Sequence, residues 1–324
     1  MVKPIVATLL ALLLSSSLLA QNEPAKKKKA APARPTPTVA DYVYGDKSER
    51  QKFDFWQAKS DKPTPVVLLI HGGGWVNGDK TSYGTNMIQP FLDAGISVAA
   101  LNYRFIAQAM EQKVEPPVEA CVHDAARALQ TIRSKAKEWN VDPTRIGATG
   151  GSAGACTSLW LALHDDIADP NKKDPIARES SRLTCAAVNG AQTSLDPREL
   201  REWIPNAIYG GHAFGFAQKG RTRPQEFDLL IAEREKVLPW IKEFSPMELV
   251  SKDDPAIFLD YPNQKTPPVV GQKEADPTHS AMYGVKLAEK LQANGVEAVL
   301  SYPGHKDEKY GSITAFLISK LKAN

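Results

Sequence analysis

The sequence of 324 residues predicts an α/β fold built on a mostly parallel, doubly wound sheet. Short, continuously apolar runs alternate with helical stretches along most of the chain. An alternating apolar and polar pattern precedes them and predicts an antiparallel N-terminal hairpin. Residues 191–250, rich in Trp, Phe, Gly and Pro, interrupt the alternation, and we interpret this segment as an inserted lid over a site.

The hairpin is predicted at residues 41–44 and 52–57, around a turn at Gly45 and Asp46. The apolar runs that follow suit strands that are buried on both faces of a parallel sheet. They cover residues 66–70, 96–101, 145–149, 183–188, 256–261 and 296–302. Helices are expected at residues 118–139, 153–163, 279–293 and 310–321.

The first 38 residues differ from the rest of the chain. Residues 1–20 combine Lys3, an apolar run and a small-residue end at Ala20, which is the pattern of a secretory signal peptide. Residues 21–38, basic and Pro-rich, are interpreted as a linker. We therefore expect a secreted or periplasmic protein without stable membrane insertion after cleavage, and one folded α/β domain over residues 39–324.

Charge and cysteine content exclude several classes of function. Residues 39–324 carry 34 basic and 36 acidic side chains, so nothing in their charge favours nucleic acid as a partner. Three cysteines do not make a disulfide framework, and the sequence leaves open whether any two of them are paired. No paired Cys or His spacing indicates a metal, and no phosphate-binding loop is present, so no cofactor is expected.

A serine nucleophile is indicated by Gly150-Gly151-Ser152-Ala153-Gly154, which lies between a predicted strand and a predicted helix. This is the G-x-S-x-G pattern in its required strand–turn–helix context. The tight turn presents the Ser152 hydroxyl at the carboxyl end of the sheet. The first N–H groups of the following helix, beginning with Ala153, point to the position where an oxyanion would form.

A second motif, His71-Gly72-Gly73-Gly74-Trp75, follows the first buried strand. Consecutive glycines allow the main chain to approach a ligand closely with its N–H groups. We expect Gly73 and Gly74, together with Ala153, to form an oxyanion hole. Trp75 is expected to bind substrate beside that loop.

With these two motifs the chain resembles an α/β-hydrolase of the esterase/lipase type, and it is similar to secreted bacterial acetyl-xylan and feruloyl esterases. The resemblance runs from Val66 to the C-terminus and includes Asn102-Tyr103-Arg104, Asp124 and the segment at residues 141–146. It implies an acyl-enzyme mechanism in which an acid and a histidine follow Ser152 along the chain.

The resemblance places the catalytic histidine directly after the last strand, where His305 lies. His279 is expected to be a capping or surface residue instead. The acid is less well defined, because an insertion follows the strand at residues 256–261. Asp276 is preferred, with Asp260 and Glu274 as the alternatives.

The predicted function is hydrolysis of short acyl esters, acetyl or feruloyl, on polysaccharides. The sequence leaves open a peptidase or an arylformamidase that uses the same triad. It also leaves open a catalytically inactive binding protein that keeps only the fold.

Overall fold

A computed structural model of the protein describes Met1 and residues 34–323. Apart from Met1, the predicted signal peptide lies outside the described residues, as do residues 21–33 of the predicted linker. By packing, the chain divides into a unit at Met1–Pro32 and a compact unit at Ala33–Asn324. None of the helices between residues 34 and 323 has the length and apolar character that crossing a bilayer requires.

The compact unit is built on one sheet of eight strands, which confirms the predicted fold class. The strands follow the order β1-β2-β4-β3-β5-β6-β7-β8. β1 and β2 form the expected hairpin, and β2 also pairs with β4 in the antiparallel sense, whereas the strands from β3 to β8 run parallel. Their bounds are β1 Val39–Val43, β2 Lys52–Trp56, β3 Thr64–Ile70, β4 Ser97–Leu101, β5 Val141–Gly151, β6 Cys185–Asn189, β7 Ala256–Asp260 and β8 Ala298–Ser301.

Helices cover both faces of the sheet, which explains the uninterrupted apolar runs of the central strands. Along β3, Val66, Leu68 and Ile70 point to one face, whereas Val67 and Leu69 point to the other. The helices are α1 Thr85–Asp93, α2 Ile106–Glu111, α3 Pro117–Ser134, α4 Ala153–Leu163, α5 Pro197–Trp203, α6 Arg223–Ala232, α7 Arg234–Phe244, α8 Pro246–Leu249, α9 Ala281–Ala293 and α10 Ile313–Lys322. α1 and α10 cover the Val67 face, and α3, α4 and α9 the opposite one.

Four of these helices, α5 to α8, lie between β6 and β7 in the segment predicted to be a lid. Five of its seven aromatic rings are buried rather than presented to solvent: Trp203, Tyr209, Phe214, Phe227 and Phe244. Phe216 and Trp240 are partly buried against the same core. These aromatic side chains belong to the same core cluster as residues of α3 and α4, and the role of the segment as a lid stays a prediction.

All three cysteines are free and buried. Burial raises the pKa of the Cys156 and Cys185 thiols to about 12, which keeps both protonated. They act as small apolar side chains within the core.

Candidate active site

Ser152 lies on a strained turn between β5 and α4, with φ 54° and ψ −123°. A non-glycine residue seldom adopts this backbone conformation, and such strain is typical of functional sites. The turn closes because glycines stand where any side chain would collide. A Cβ on Gly150 would come within 2.4 Å of the Ile70 carbonyl oxygen, and one on Gly154 within 1.9 Å. The flanking glycines thus let α4 pack directly against β3 below Ser152.

His279 is the histidine that reaches Ser152. Its Nε2 lies 2.9 Å from the Ser152 Oγ, and its Nδ1 lies 2.8 Å from Oδ2 of Asp276. The other oxygen of Asp276 accepts the N–H groups of Thr278 and His279 at 3.1 and 3.3 Å. Serine, histidine and carboxylate therefore form a continuous hydrogen-bonded series with the geometry of a nucleophile, a base and an orienting acid.

Asp276 and His279 both lie in one segment, residues 262–280, which runs from the end of β7 to the start of α9. The His279 ring passes over the end of β6 at Gly190, where a Cβ would lie 3.4 Å from its Cδ2. Gly190 has a φ of 56°, so glycine suits this position in both conformation and space. The segment that begins with the insertion thus supplies both the acid and the base.

The structure places His305, the predicted base, away from the cavity over Ser152. His305 closes a short turn after β8, where its main chain exchanges two hydrogen bonds with Tyr302 and its exposed ring stacks on the Tyr302 ring. β8 is the edge strand, three places from β5 in the sheet. His305 lines a separate cavity beside α9 and β8, which does not include Ser152.

Of the three candidate acids, the structure brings only Asp276 to the base. Asp260 ends β7 and is half-buried; burial raises the pKa of its carboxyl, although a hydrogen bond with Ser301 opposes the shift. The Glu274 carboxylate accepts hydrogen bonds from Gln264 and Ser280. Among the described residues, neither side chain is bonded to a histidine.

The His71–Trp75 loop lies beside Ser152. A Cβ on Gly72 would come within 2.6 Å of the Gly151 carbonyl oxygen and 3.4 Å of the Ser152 Cβ. Gly73 and Gly74 have φ angles of 98° and 61°. The loop is held from behind, because His71 Nδ1 lies 2.8 Å from the Gly72 carbonyl and the Tyr103 hydroxyl donates to the His71 carbonyl. That Gly73, Gly74 and Ala153 form an oxyanion hole stays a prediction.

Trp75, which was predicted to bind substrate, does not line the cavity over Ser152. Its side chain is fully buried, and its indole N–H donates to the Thr157 hydroxyl on α4 at 3.0 Å. The residue has a φ of 57°, and its ring packs inwards against Tyr209 and His212. Burying this large apolar ring with a partner for its N–H is more favourable than exposing it at the rim.

An open cavity of about 380 Å³ lies over Ser152 and His279. Apart from the glycines, its wall is largely polar or amphipathic and includes Ser82, Tyr83, Asn189, Tyr261 and Asn263. None of the seven Phe, Trp and Tyr residues of the inserted segment lines it. Among residues 34–323, no three His, Cys, Asp or Glu side chains are grouped so as to hold a metal ion.

Sequence reasoning missed His279 because it searched for the base only after the final strand. The available signal was Asp276-Pro277-Thr278-His279: an acid and a histidine three residues apart, shortly after the insertion. The helix start attributed to His279 is in fact capped by Ser280, whose hydroxyl accepts the Met282 N–H.

Fold and site together define an α/β-hydrolase with a serine, histidine and aspartate at the carboxyl end of its parallel sheet. A family model described as BD-FAE matches residues 54–275. The chain therefore belongs to the BD-FAE family.

Curated relatives include a probable isoprenylcysteine alpha-carbonyl methylesterase of Arabidopsis thaliana, 30% identical over 44% of this chain and 28% of its own length. Carboxylesterase NlhH of Mycobacterium tuberculosis is 30% identical over 36% of this chain and 34% of its own. The chain thus spans about a third of the length of these relatives.

Solved structures share the fold at lower identity. An acetyl ester-xyloside bifunctional hydrolase from Caldicellulosiruptor lactoaceticus is 23% identical, with a TM-score of 0.56 over 78% of this chain and 76% of its own. A truncated carbohydrate esterase from gut microbiota is 18% identical, with a TM-score of 0.64 over 91% and 100%.

Proposed function

We propose that the protein is a serine carboxylesterase that hydrolyses short acyl esters, with Ser152 as nucleophile, His279 as base and Asp276 as the acid that orients it. The observation that carries this proposal is the pair of hydrogen bonds, 2.9 and 2.8 Å long, that joins the three side chains below an open cavity. Membership of the BD-FAE family and the esterase names of its relatives support it.

In the proposed reaction, His279 Nε2 takes the Ser152 proton as Oγ attacks the ester carbonyl. Asp276 holds the imidazole by its Nδ1–H and stabilises the imidazolium that forms. The negative oxygen of the tetrahedral intermediate would be met by N–H groups of Gly73, Gly74 and Ala153. Ala153 begins α4, so its N–H has no acceptor within the helix and is free for this purpose. His279 then returns the proton to the leaving alcohol, and water resolves the acyl-enzyme in the same way.

The proposed substrates are acetyl or feruloyl esters of polysaccharides, with acetyl preferred. The side-chain hydroxyls and amides at the cavity wall, such as those of Ser82, Asn189 and Asn263, are suited to hydrogen-bonding with sugar hydroxyls. Names among the structural neighbours, an acetyl ester-xyloside hydrolase and a carbohydrate esterase, agree with this choice. Export of the protein, proposed from residues 1–20, would bring it to polymers outside the cell.

The test compares purified protein with its Ser152→Ala variant on a chromogenic acetate and on acetylated xylan. We expect the substitution to lower turnover of the acetate by about 10⁴- to 10⁶-fold while the variant stays folded. Acetate should be released from the xylan by the unaltered protein only. Equal activity of the two proteins would contradict the proposed nucleophile, and activity on the small ester alone would contradict the polysaccharide substrate.

A further inference from the structure

We propose that Gln264 is a positioning residue, which holds the segment carrying Asp276 and His279 in the place where His279 reaches Ser152. This proposal rests on the proposed esterase function. Gln264 lies outside the cavity over Ser152 and is 5% exposed. It also lines a second cavity, together with Glu274, Asp276 and His279, so its side chain contacts the segment that carries the catalytic pair and not Ser152 itself.

The Gln264 side chain joins the two ends of the segment at residues 262–280. Its Oε1 accepts the N–H of Ala281, at the start of α9, at 2.8 Å. Its Nε2 donates to the Thr266 carbonyl at 2.8 Å and to both carboxylate oxygens of Glu274 at 3.1 and 3.2 Å. One buried amide thus connects the outgoing arm of the segment, its returning arm and the helix that follows.

Glu274 extends these contacts on the returning arm. Its Oε1 also accepts the Ser280 hydroxyl at 3.1 Å. Its main chain exchanges two hydrogen bonds with the Asn206 side chain, one in each direction, at 2.9 and 3.0 Å. The catalytic pair is therefore fastened on both sides, by Glu274 two residues before Asp276 and by Ser280 directly after His279.

This fastening matters because Asp276 and His279 hold each other but do not fix their own distance to Ser152. The two residues lie three apart in the chain, so their mutual contact is local and survives a shift of the whole segment. The contact between His279 and Ser152 spans 127 residues and depends on where the segment lies. A displacement of about 1 Å in such a site is enough to lower a rate about 100-fold.

The experiment uses a reciprocal exchange. Gln264→Glu places a carboxylate against Glu274, and the two ionised groups repel each other at pH 8. Adding Glu274→Gln restores an amide opposite a carboxylate. The carboxylate introduced at position 264 still accepts the Ala281 N–H, and the amide oxygen introduced at position 274 still accepts the Ser280 hydroxyl. Gln130→Glu is the matched control, because Gln130 is also 5% exposed and donates to a carbonyl, that of Glu179, away from the cavity.

Two rates are measured at pH 8 for each folded variant: turnover of a chromogenic acetate, and labelling of Ser152 by a fluorophosphonate, which needs an activated serine but no particular ester. For Gln264→Glu we expect both kcat and the labelling rate to fall about 100-fold with little change in KM. In the double exchange, kcat and the labelling rate should each be at least tenfold higher than in Gln264→Glu. Gln130→Glu should match the unaltered protein in both.

A Gln264→Glu variant with unchanged rates, or a double exchange no faster than the single one, would overturn the positioning role while the esterase function stands. A rise in KM with kcat unchanged would also overturn it, because that would place Gln264 in substrate binding. Failure of the esterase function has a different signature, namely acetate turnover that persists in Ser152→Ala. In that case the labelling rates of the unaltered protein and of Gln264→Glu still test the role of Gln264. If Ser152 of the unaltered protein is not labelled at all, the positioning role is contradicted.

Discussion

The carboxylates available to the site differ in their contacts rather than in their chemistry. Asp276 holds the Nδ1 of His279, whereas Asp260 is half-buried at the end of β7 beside Ser301. Asp276→Asn should lower kcat by about 10⁴-fold, because an amide favours the wrong imidazole tautomer and cannot stabilise the imidazolium. Asp260→Asn is the matched control and should have a much smaller effect. The two variants are compared by kcat on a chromogenic acetate, and the reverse order would identify Asp260 as the acid.

His212, which contacts Trp75 and Tyr209, makes the folded state sensitive to acid. Burial, together with the charge of Arg223, lowers its pKa to about 3. In the unfolded chain a histidine titrates near its ordinary pKa of about 6.5, so the unfolded state takes up the proton first as the pH falls. The stability linked to His212 is therefore complete above about pH 6.5 and is lost progressively below it, by about 2 kcal/mol at pH 5.

Urea unfolding at pH 7 and pH 5 measures this effect. His212→Leu should lose about 2 kcal/mol less than the unaltered protein between the two pH values. His305→Leu, at an exposed position, serves as the control. Burial also lowers the pKa values of His71 and His123, but both residues contribute equally to the pH dependence of unfolding in all three proteins. An identical pH dependence for His212→Leu and the unaltered protein would contradict a neutral, buried His212.

At the scale of elements, the two glycines Gly151 and Gly154 beside Ser152 differ in how much the packing of α4 depends on them. A Cβ on Gly154 would lie 1.9 Å from the Ile70 carbonyl oxygen, whereas one on Gly151 would meet only the Asn189 oxygen, at 3.9 Å. Gly154→Ala should therefore push α4 away from β3 and destabilise the fold by about 3 kcal/mol or more. Gly151→Ala should change the free energy of unfolding by less than about 1 kcal/mol. Thermal and urea unfolding of both variants test this, and equal losses would contradict it.

The elements that sequence patterns predicted well are those with a strong periodic signal. Buried parallel strands produce continuous apolar runs and the hairpin produces an alternating pattern, so all eight strands were predicted near their observed bounds. The short α1 and α2 were missed, because Pro90 interrupts the pattern of one and the other has only six residues. Ser152 followed from a motif whose geometry is local. The role of His279 could not be predicted in this way, because it lies in an irregular segment. The path of that segment depends on hydrogen bonds such as those of Gln264 rather than on a periodic pattern.

At the scale of the whole molecule, the N-terminal hairpin is joined to the wall of the active site by a buried cluster of charges. Lys80 Nζ lies 2.6 Å from Asp54 Oδ1 on β2 and 2.9 Å from Asp41 Oδ1 on β1. Arg34 contacts the other oxygen of Asp54 and donates to the Lys80 carbonyl. Lys80 begins the short helical turn that leads to Ser82 and Tyr83 in the cavity wall.

Removing the central cation should therefore destabilise the protein strongly. Lys80→Met leaves Asp54 buried without its nearest charge partner, and we expect a loss of about 3–5 kcal/mol in the free energy of unfolding. Lys172→Met, at an exposed pair with Asp169, should cost less than about 1 kcal/mol. Urea unfolding at neutral pH compares the two variants. Similar values for both would show that the buried cluster does not hold the hairpin in place.

In the proposed mechanism the catalytic base comes from the segment before α9 and not from the end of the sheet. Replacing each histidine by alanine and measuring kcat/KM on a chromogenic acetate tests it directly. His279→Ala should lower kcat/KM by about 10⁴- to 10⁶-fold. His305→Ala should leave it within about threefold of the unaltered protein, because this exposed ring contacts Tyr302 and lies outside the cavity over Ser152. Loss of activity in His305→Ala with activity kept in His279→Ala would contradict the account.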